Sequence, residues 1–210
     1  MPDVANRADV VEASAELART QPAFRAIVES AGPAGLRRAR PRHTYFAELV
    51  REICFQQLAG AAARTIHGRL VAALDGNPTP ESVLALPVDQ LRAAGLSANK
   101  AASIRDLSDK VLAGEVQLDR LSRLSDAEIV RELTLVRGIG RWTAEMFLMF
   151  QLGRLDVWPV DDLGVRKGYA RLYSLVPPPT ARELEPLGDA FRPHRSIAAW
   201  YCWRAADTQL

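Results

Sequence analysis

Apolar residues recur along most of this chain every three or four positions and almost nowhere every second one, the spacing of helices that bury one face. Between His43 and Gly76, Phe46, Leu49, Val50, Ile53 and Leu58 form one such series. Ile66, Leu70, Val71 and Leu74 form a second, and Asp75-Gly76 stops it. Gly60 predicts two helices meeting near Gln56 to Gly60 rather than one long rod. Thr79 is placed to cap a short helix in "NPTPESVLAL", and Ser97 to open "SANKAASIRDLSDKVLAG", which Gly114 closes. Ser125 followed by Glu128 is a capping-box pattern at the head of "SDAEIVRELTLV". That helix runs through a glycine turn into the almost wholly apolar "WTAEMFLMFQLG", so the two form a helix-hairpin-helix. "RLDVWPVDDLGVRKGYARLYS" reads as a proline-containing loop and a helix, and "PPPTARELEPLGDAF" as a rigid linker with a capped helix. "PHRSIAAWYCWRAAD" is a final helix starting at Pro193. No repeat of twenty to fifty residues is visible, and the fold class expected is all-α.

Composition narrows this picture without redirecting it. The 210 residues are 48% hydrophobic and 25% charged, enough for a sizeable core in one domain or two closely joined lobes. No run of eighteen apolar residues suggests a membrane span. "MPDVANRADVVEASAEL" lacks the basic and apolar regions of a secretory signal, so a cytoplasmic protein is expected, nuclear if eukaryotic. Cys54 and Cys202 read as two buried, reduced thiols, too few for a thiolate-held zinc or iron–sulfur cluster. A net charge of +2 says little by itself about a nucleic-acid partner. "LRRARPRH", Leu36 to His43, is a solvated loop taken alone and a phosphate-contacting strip if other features point to DNA.

Those features start at "LVRGIGRWTAEMF", Leu135 to Phe147. A glycine-bracketed turn lets the backbone approach a ligand, and a helix N-terminus presents N–H groups and a positive dipole end to an anion. Arg137, Gly138, Ile139, Gly140, Arg141 and Thr143 are therefore candidate DNA-phosphate contacts. Such contacts position a protein on a duplex and read no bases. About twenty residues on, "VWPVDDLGVRKG" carries Asp161 and Asp162 just after a proline, at a predicted helix start. Neighbouring residues there diverge by about 100°, so the two carboxylates do not face one atom. Asp156 is the nearest further carboxylate, and a divalent-metal site is disfavoured.

The hairpin, the "GRWTA" helix, the loop and the aspartate together resemble the helix-hairpin-helix DNA glycosylases, and most closely their 3-methyladenine DNA glycosylase II branch. "FAELVREICFQQLAGAAARTI" is similar to the family's helix leading to its DNA wedge, and "PHRSIAAWYCW" to its terminal tryptophan-bearing helix. The match spans roughly residues 43 to 205. The resemblance implies one catalytic unit over 1–210. It comprises a central helical lobe at 43–155, holding the helix-hairpin-helix at 125–152, and a second lobe of 1–42 plus 156–210, with the active-site cleft between them. It places Asp162 as the catalytic carboxylate and Asp161 as a helix-capping or solvent-facing neighbour, while a cap is also the plain structural reading of Asp162. It places Trp142 and Trp203 in the base pocket, core packing being the alternative for each, and Met146 where a pocket tyrosine is known. Gln57 falls at the side chain that enters the gap left by the extruded nucleotide, with Leu58 as the alternative wedge.

Two departures bear on the expectation: Met146 stands in place of the pocket tyrosine, which bears on the pocket's shape, and Trp142 stands in place of a lysine. The family's bifunctional members carry a Schiff-base lysine where Trp142 stands, and often a four-cysteine cluster that this chain has no thiols to build. The resemblance therefore implies a monofunctional glycosylase that hydrolyses the N-glycosidic bond of alkylated purines. It needs no cofactor, acts as a monomer on double-stranded DNA with damaged bases, and has no membrane partner. A monovalent cation at the carbonyls of Thr134, Val136 and Ile139 is implied in the same way. Action on deaminated or oxidised bases, and non-catalytic recognition of distorted DNA, stay open as alternatives.

Overall fold

The computed structural model describes residues 7–36 and 44–207. The arginine strip at 37–43 lies outside the described residues. In chain order the helices are α1 (Arg7–Thr20), α2 (Arg25–Ala31), α3 (Tyr45–Phe55), α4 (Gly60–Ala73), α5 (Pro80–Ala85) and α6 (Val88–Ala93). There follow α7 (Ala98–Leu112), α8 (Asp126–Leu133), α9 (Arg141–Phe150), α10 (Leu163–Leu172), α11 (Ala181–Leu187) and α12 (Arg195–Asp207). Among the described residues there is no strand, and no helix is long and apolar enough to cross a membrane. The chain forms two compact units, one of Met1–Ala39 with Glu145–Leu210 and one of Arg40–Ala144.

In the Arg40–Ala144 unit the periodicity translates directly into burial. Phe46, Leu49, Val50 and Ile53 of α3 are all buried, the one-faced stripe of a helix packed on a core. The chain leaves that helix at Phe55 and re-enters at Gly60, as Gly60 predicts. Leu58 departs from its expected series: it lies beyond the helix and is 40% exposed. The caps fall where the sequence puts them. Thr79 and Ser125 each form a reciprocal capping box, with Ser82 and Glu128 respectively, and the Ser97 hydroxyl accepts the Lys100 N–H. Buried Ala101, Ile104 and Leu107 put one face of α7 into this core.

The other unit is built around α12, which is buried at Ser196 to Ala199 and again at Tyr201, Cys202 and Ala205. It crosses α10 so closely that a Cβ placed on Gly168 would sit 1.8 Å from the Cys202 carbonyl oxygen. Phe24, Trp158, Tyr169 and Phe191 form an aromatic core beside this crossing, with the Trp158 indole N–H donating to the Leu184 carbonyl at 3.0 Å. The final helix starts at Arg195, two residues after Pro193. Its entry is fixed by a turn, the His194 N–H donating to Phe191 O at 2.7 Å, and by the Ser196 N–H donating to Leu155 O at 2.8 Å. The Ser196 hydroxyl completes the link by accepting the Val157 N–H at 2.9 Å, which ties the loop leading to the paired aspartates onto this helix.

Candidate active site

The helix-hairpin-helix turn is held from beneath by α7. Gly138 adopts φ 77°, the left-handed region that favours glycine, and a Cβ there would lie 2.5 Å from the Ser103 hydroxyl oxygen. One turn along α7, Asp106 accepts the Arg137 backbone N–H at 2.7 Å, and Asn99 accepts from the Arg137 guanidinium at 3.2 Å. Burial works against the Asp106 charge. The Arg137 N–H and the Lys110 ammonium outweigh it and hold its carboxyl below the usual carboxylate range.

The turn thus offers fewer open N–H groups than its sequence suggests. The Arg137 amide already serves a carboxylate, and the Ile139 amide closes the turn onto Val136 O at 3.1 Å. Among the described residues, the amides of Gly138 and Gly140 meet no acceptor. Ile139 is buried as the hydrophobic pin of the turn, while Arg137 and Arg141 are exposed beside it. The Thr143 side chain is buried and faces Gln56.

The Gln56–Leu58 segment meets the hairpin within the same unit. Gln56 caps the end of α3, and its side-chain amide donates to Gly138 O at 3.0 Å and to the Thr143 hydroxyl at 3.4 Å. Gln57 follows with φ 54°, a conformation uncommon for a residue with a side chain. Gln57 and Leu58 are both exposed, as an inserting side chain requires.

In the other unit, Asp162 is the N-cap of α10. Its Oδ1 accepts the Val165 N–H at 2.9 Å and the Trp203 indole N–H, also at 2.9 Å. The sequence left the cap open between Asp161 and Asp162. The structure assigns it to Asp162, because burial of Val165, Gly168 and Tyr169 sets the phase of α10 and leaves Asp161 exposed. The same carboxylate therefore caps the helix and meets the Trp203 indole, so a cap does not exclude a second role for Asp162. Asp156 is not part of this arrangement. Arg195 holds it at 2.7 Å and Arg192 at 2.8 Å, a structural ion-pair cluster.

Trp203 also stacks on Phe150, with ring centroids 5.9 Å apart and planes at 26°. Phe150 was not singled out in the sequence, although its spacing marks it. Trp142, Met146 and Phe150 succeed one another four residues apart and share one face of α9. Trp142 is 44% exposed and Phe150 37%, whereas Met146 between them is buried.

Both thiols are buried and unbridged. Burial pushes the Cys54 thiol up to about 11. It also raises that of Cys202 strongly, with the charge of Asp162 adding to the effect. Neither is a nucleophile at neutral pH. Among the described residues, no three His, Cys, Asp or Glu side chains gather as metal ligands.

Comparison with known proteins bears on the family and the fold. Residues 50–193 match the model of the HhH-GPD superfamily, base excision DNA repair proteins. The chain is similar to DNA-3-methyladenine glycosylase 1 of Schizosaccharomyces pombe, 37% identical over 164 residues that cover 77% of this chain and 72% of that protein. It is also similar to the alkylbase DNA glycosidase-like protein mag2 of the same yeast, 29% identical over 200 residues and 93% of each chain. Among solved structures it resembles that of S. pombe 3-methyladenine DNA glycosylase in complex with abasic DNA. The TM-score is 0.83 at 32% identity, covering 94% of this chain and 98% of the other.

Proposed function

Because the chain belongs to the HhH-GPD superfamily of base excision DNA repair proteins, we propose that it is a monofunctional DNA glycosylase that removes alkylated purines from double-stranded DNA, acting as a monomer. The observation that carries this reading is the 2.9 Å hydrogen bond from the Trp203 indole to Asp162, which fixes an aromatic face and a carboxylate to one another.

A base stacked in a duplex is out of reach, so the nucleotide must first be extruded, at a cost of a few kcal/mol that is least for damaged bases. In the proposed cycle the Gly138–Gly140 turn anchors a phosphate and Gln57 occupies the vacated space. An N-alkylated purine carries a positive charge. Its electron-poor ring is attracted to the faces of Trp142 and Trp203, by about 0.5 to 2 kcal/mol for each good contact. The same charge makes it a good leaving group, so the remaining demand is to stabilise the oxocarbenium-like sugar as the glycosidic bond breaks. Asp162 meets that demand as a fixed negative charge, oriented beforehand by two N–H donors, and is placed to align the attacking water. The carbonyls of Thr134, Val136 and Ile139 are neutral oxygen donors of the kind a monovalent cation takes. A cation held there would add positive charge beside the anchored phosphate.

This chemistry predicts release of 3-methyladenine and 7-methylguanine faster than uracil or 8-oxoguanine from single-lesion duplexes, scored as free base. Equal or faster release of the neutral oxidised base would remove the charge-stacking account, and no release from any duplex would leave a non-catalytic binder of distorted DNA. Because Trp142 carries no amine, the product is an intact strand with an abasic site, and borohydride should trap no covalent protein–DNA adduct. A trapped adduct would make the enzyme a lyase as well.

The anchoring role has a clean probe in Gly140. Nothing stands within 4 Å of a Cβ placed there, so a side chain at Gly140 enters open space and Gly140→Val should fold, as a thermal melt checks. With a phosphate against that amide, the side chain should weaken binding to damaged and undamaged duplexes alike by roughly tenfold, the loss of about one charge-assisted hydrogen bond. Unchanged affinity in a fluorescence anisotropy titration would give the turn another job. Gly138 is the less informative site, since its φ and Ser103 would disturb the turn itself.

A further inference from the structure

The exposed pair Gln57-Leu58 is held by contacts that neither the phosphate anchor nor the chemistry uses. The Lys100 ammonium, from the first turn of α7, donates to the carbonyls of Cys54 and Gln56, both at 2.7 Å. It therefore gathers the last carbonyls of α3 at the point where the helix runs out, and the next residue, Gln57, takes its left-handed φ of 54°. From the other side, the Gln56 side chain reaches the Gly138 carbonyl and the Thr143 hydroxyl. The same helix that carries Lys100 also carries Asn99, Ser103 and Asp106, which seat the hairpin. One rigid element thus fixes both the turn and the segment that would enter the duplex.

We infer that Lys100 and Gln56 are positioning residues that hold the Gln57-Leu58 wedge in register with the hairpin, so that anchoring the turn on a phosphate also aims the wedge at the base stack. The inference rests on the reading of Gln57 as the inserting side chain. A wedge without this support would have to be ordered anew at each insertion, and the loss would fall on extrusion rather than on duplex binding.

The test uses a duplex with 2-aminopurine beside a tetrahydrofuran abasic analogue, whose fluorescence reports unstacking without any chemistry. Lys100→Met keeps the aliphatic stem and removes the donors. Its affinity for undamaged duplex should stay within about twofold, while the unstacking signal at saturation falls by at least about half and single-turnover base release falls on the order of tenfold. In a Gln57→Ala background, Lys100→Met should have almost no further effect, because it acts only through the wedge. Lys100→Arg, which can still donate to both carbonyls, should restore most of the signal. Gln56→Ala should show the same dependence on Gln57 and serves if Lys100→Met does not fold.

Equal losses in the wild-type and Gln57→Ala backgrounds would overturn the inference. So would an equal loss of affinity for undamaged duplex, which would make Lys100 a DNA contact, or a Lys100→Arg as defective as Lys100→Met. If the wild-type protein releases no base while the fluorescence shows the predicted dependence on Gln57, the glycosylase reading fails and the positioning role stands.

Discussion

Asp162→Asn should abolish most base release while leaving a folded, DNA-binding protein. Removing one preorganised electrostatic contact from a reacting centre typically lowers the rate by a factor on the order of 10² to 10³. The structure explains why this replacement is clean. Asp162 Oδ1 accepts from the Val165 amide and the Trp203 indole, and an asparagine carbonyl can accept from both. Asparagine is also among the best N-cap residues. Melting temperature and affinity for an abasic-site duplex should therefore be close to those of the wild type, so that the kinetic loss reports charge alone. Asp162→Ala is the contrasting variant. It removes the cap, at about 1 kcal/mol, and leaves the indole N–H without its acceptor. Its deficit should appear in the thermal melt as well as in the rate. Asp161 is exposed and does not cap α10, so Asp161→Asn should release base at nearly the wild-type rate. A dead Asp161→Asn beside an active Asp162→Asn would move the catalytic carboxylate by one position. Two active variants would mean that neither aspartate stabilises the departing sugar.

The difficulty of choosing between these aspartates beforehand shows what local sequence does and does not carry. Caps with a distinctive partner are legible: Ser125 with Glu128 forms its box as the pattern predicts. Neither Asp161 nor Asp162 has such a partner, because Val165 and Gly164, the residues three further on, offer no reciprocal side chain. The register is decided instead by tertiary packing, in which Val165 and Tyr169 turn inward against the core and carry Asp162 to the cap. Periodicity likewise gave the two helices on either side of Gln56, yet it enrolled Leu58 in a buried series that the chain has already left. The contacts that hold the Gln56–Leu58 segment lie further still from view. Lys100 reaches carbonyls 46 and 44 residues away, and Gln56 reaches the hairpin across 82 residues. Backbone carbonyls have no sequence signature, so a lysine that serves them looks like any solvated lysine on a helix. Phe150 is a different case. Its four-residue spacing from Met146 was there to be read, but in an almost wholly apolar helix every face looks like core.

Gly168→Ala should be the most destabilising single-methyl change in the chain's α10–α12 pair. A Cβ at Gly168 would stand 1.8 Å from the Cys202 carbonyl oxygen and 2.7 Å from its Cα, both backbone atoms of a fully buried residue. No rotamer relieves such an overlap, so the two helices must separate. Overpacking of this kind costs about 3 kcal/mol, which for a chain of this length lowers the melting temperature by roughly 6 to 12 °C. Gly164, one turn earlier on the same face, should behave differently. There the Cβ would meet the Trp203 ring at 2.8 Å and Asp162 Oδ1 at 3.0 Å, both side-chain atoms that can swing aside. Gly164→Ala should therefore melt within a few degrees of the wild type but release base much more slowly, because the movement that relieves the clash is movement of the indole–carboxylate pair. Differential scanning calorimetry and single-turnover release on one alkylated duplex separate the two variants. A Gly164→Ala enzyme that keeps full activity would show that catalysis tolerates displacement of Trp203 from Asp162, and the hydrogen bond between them would then be structural only.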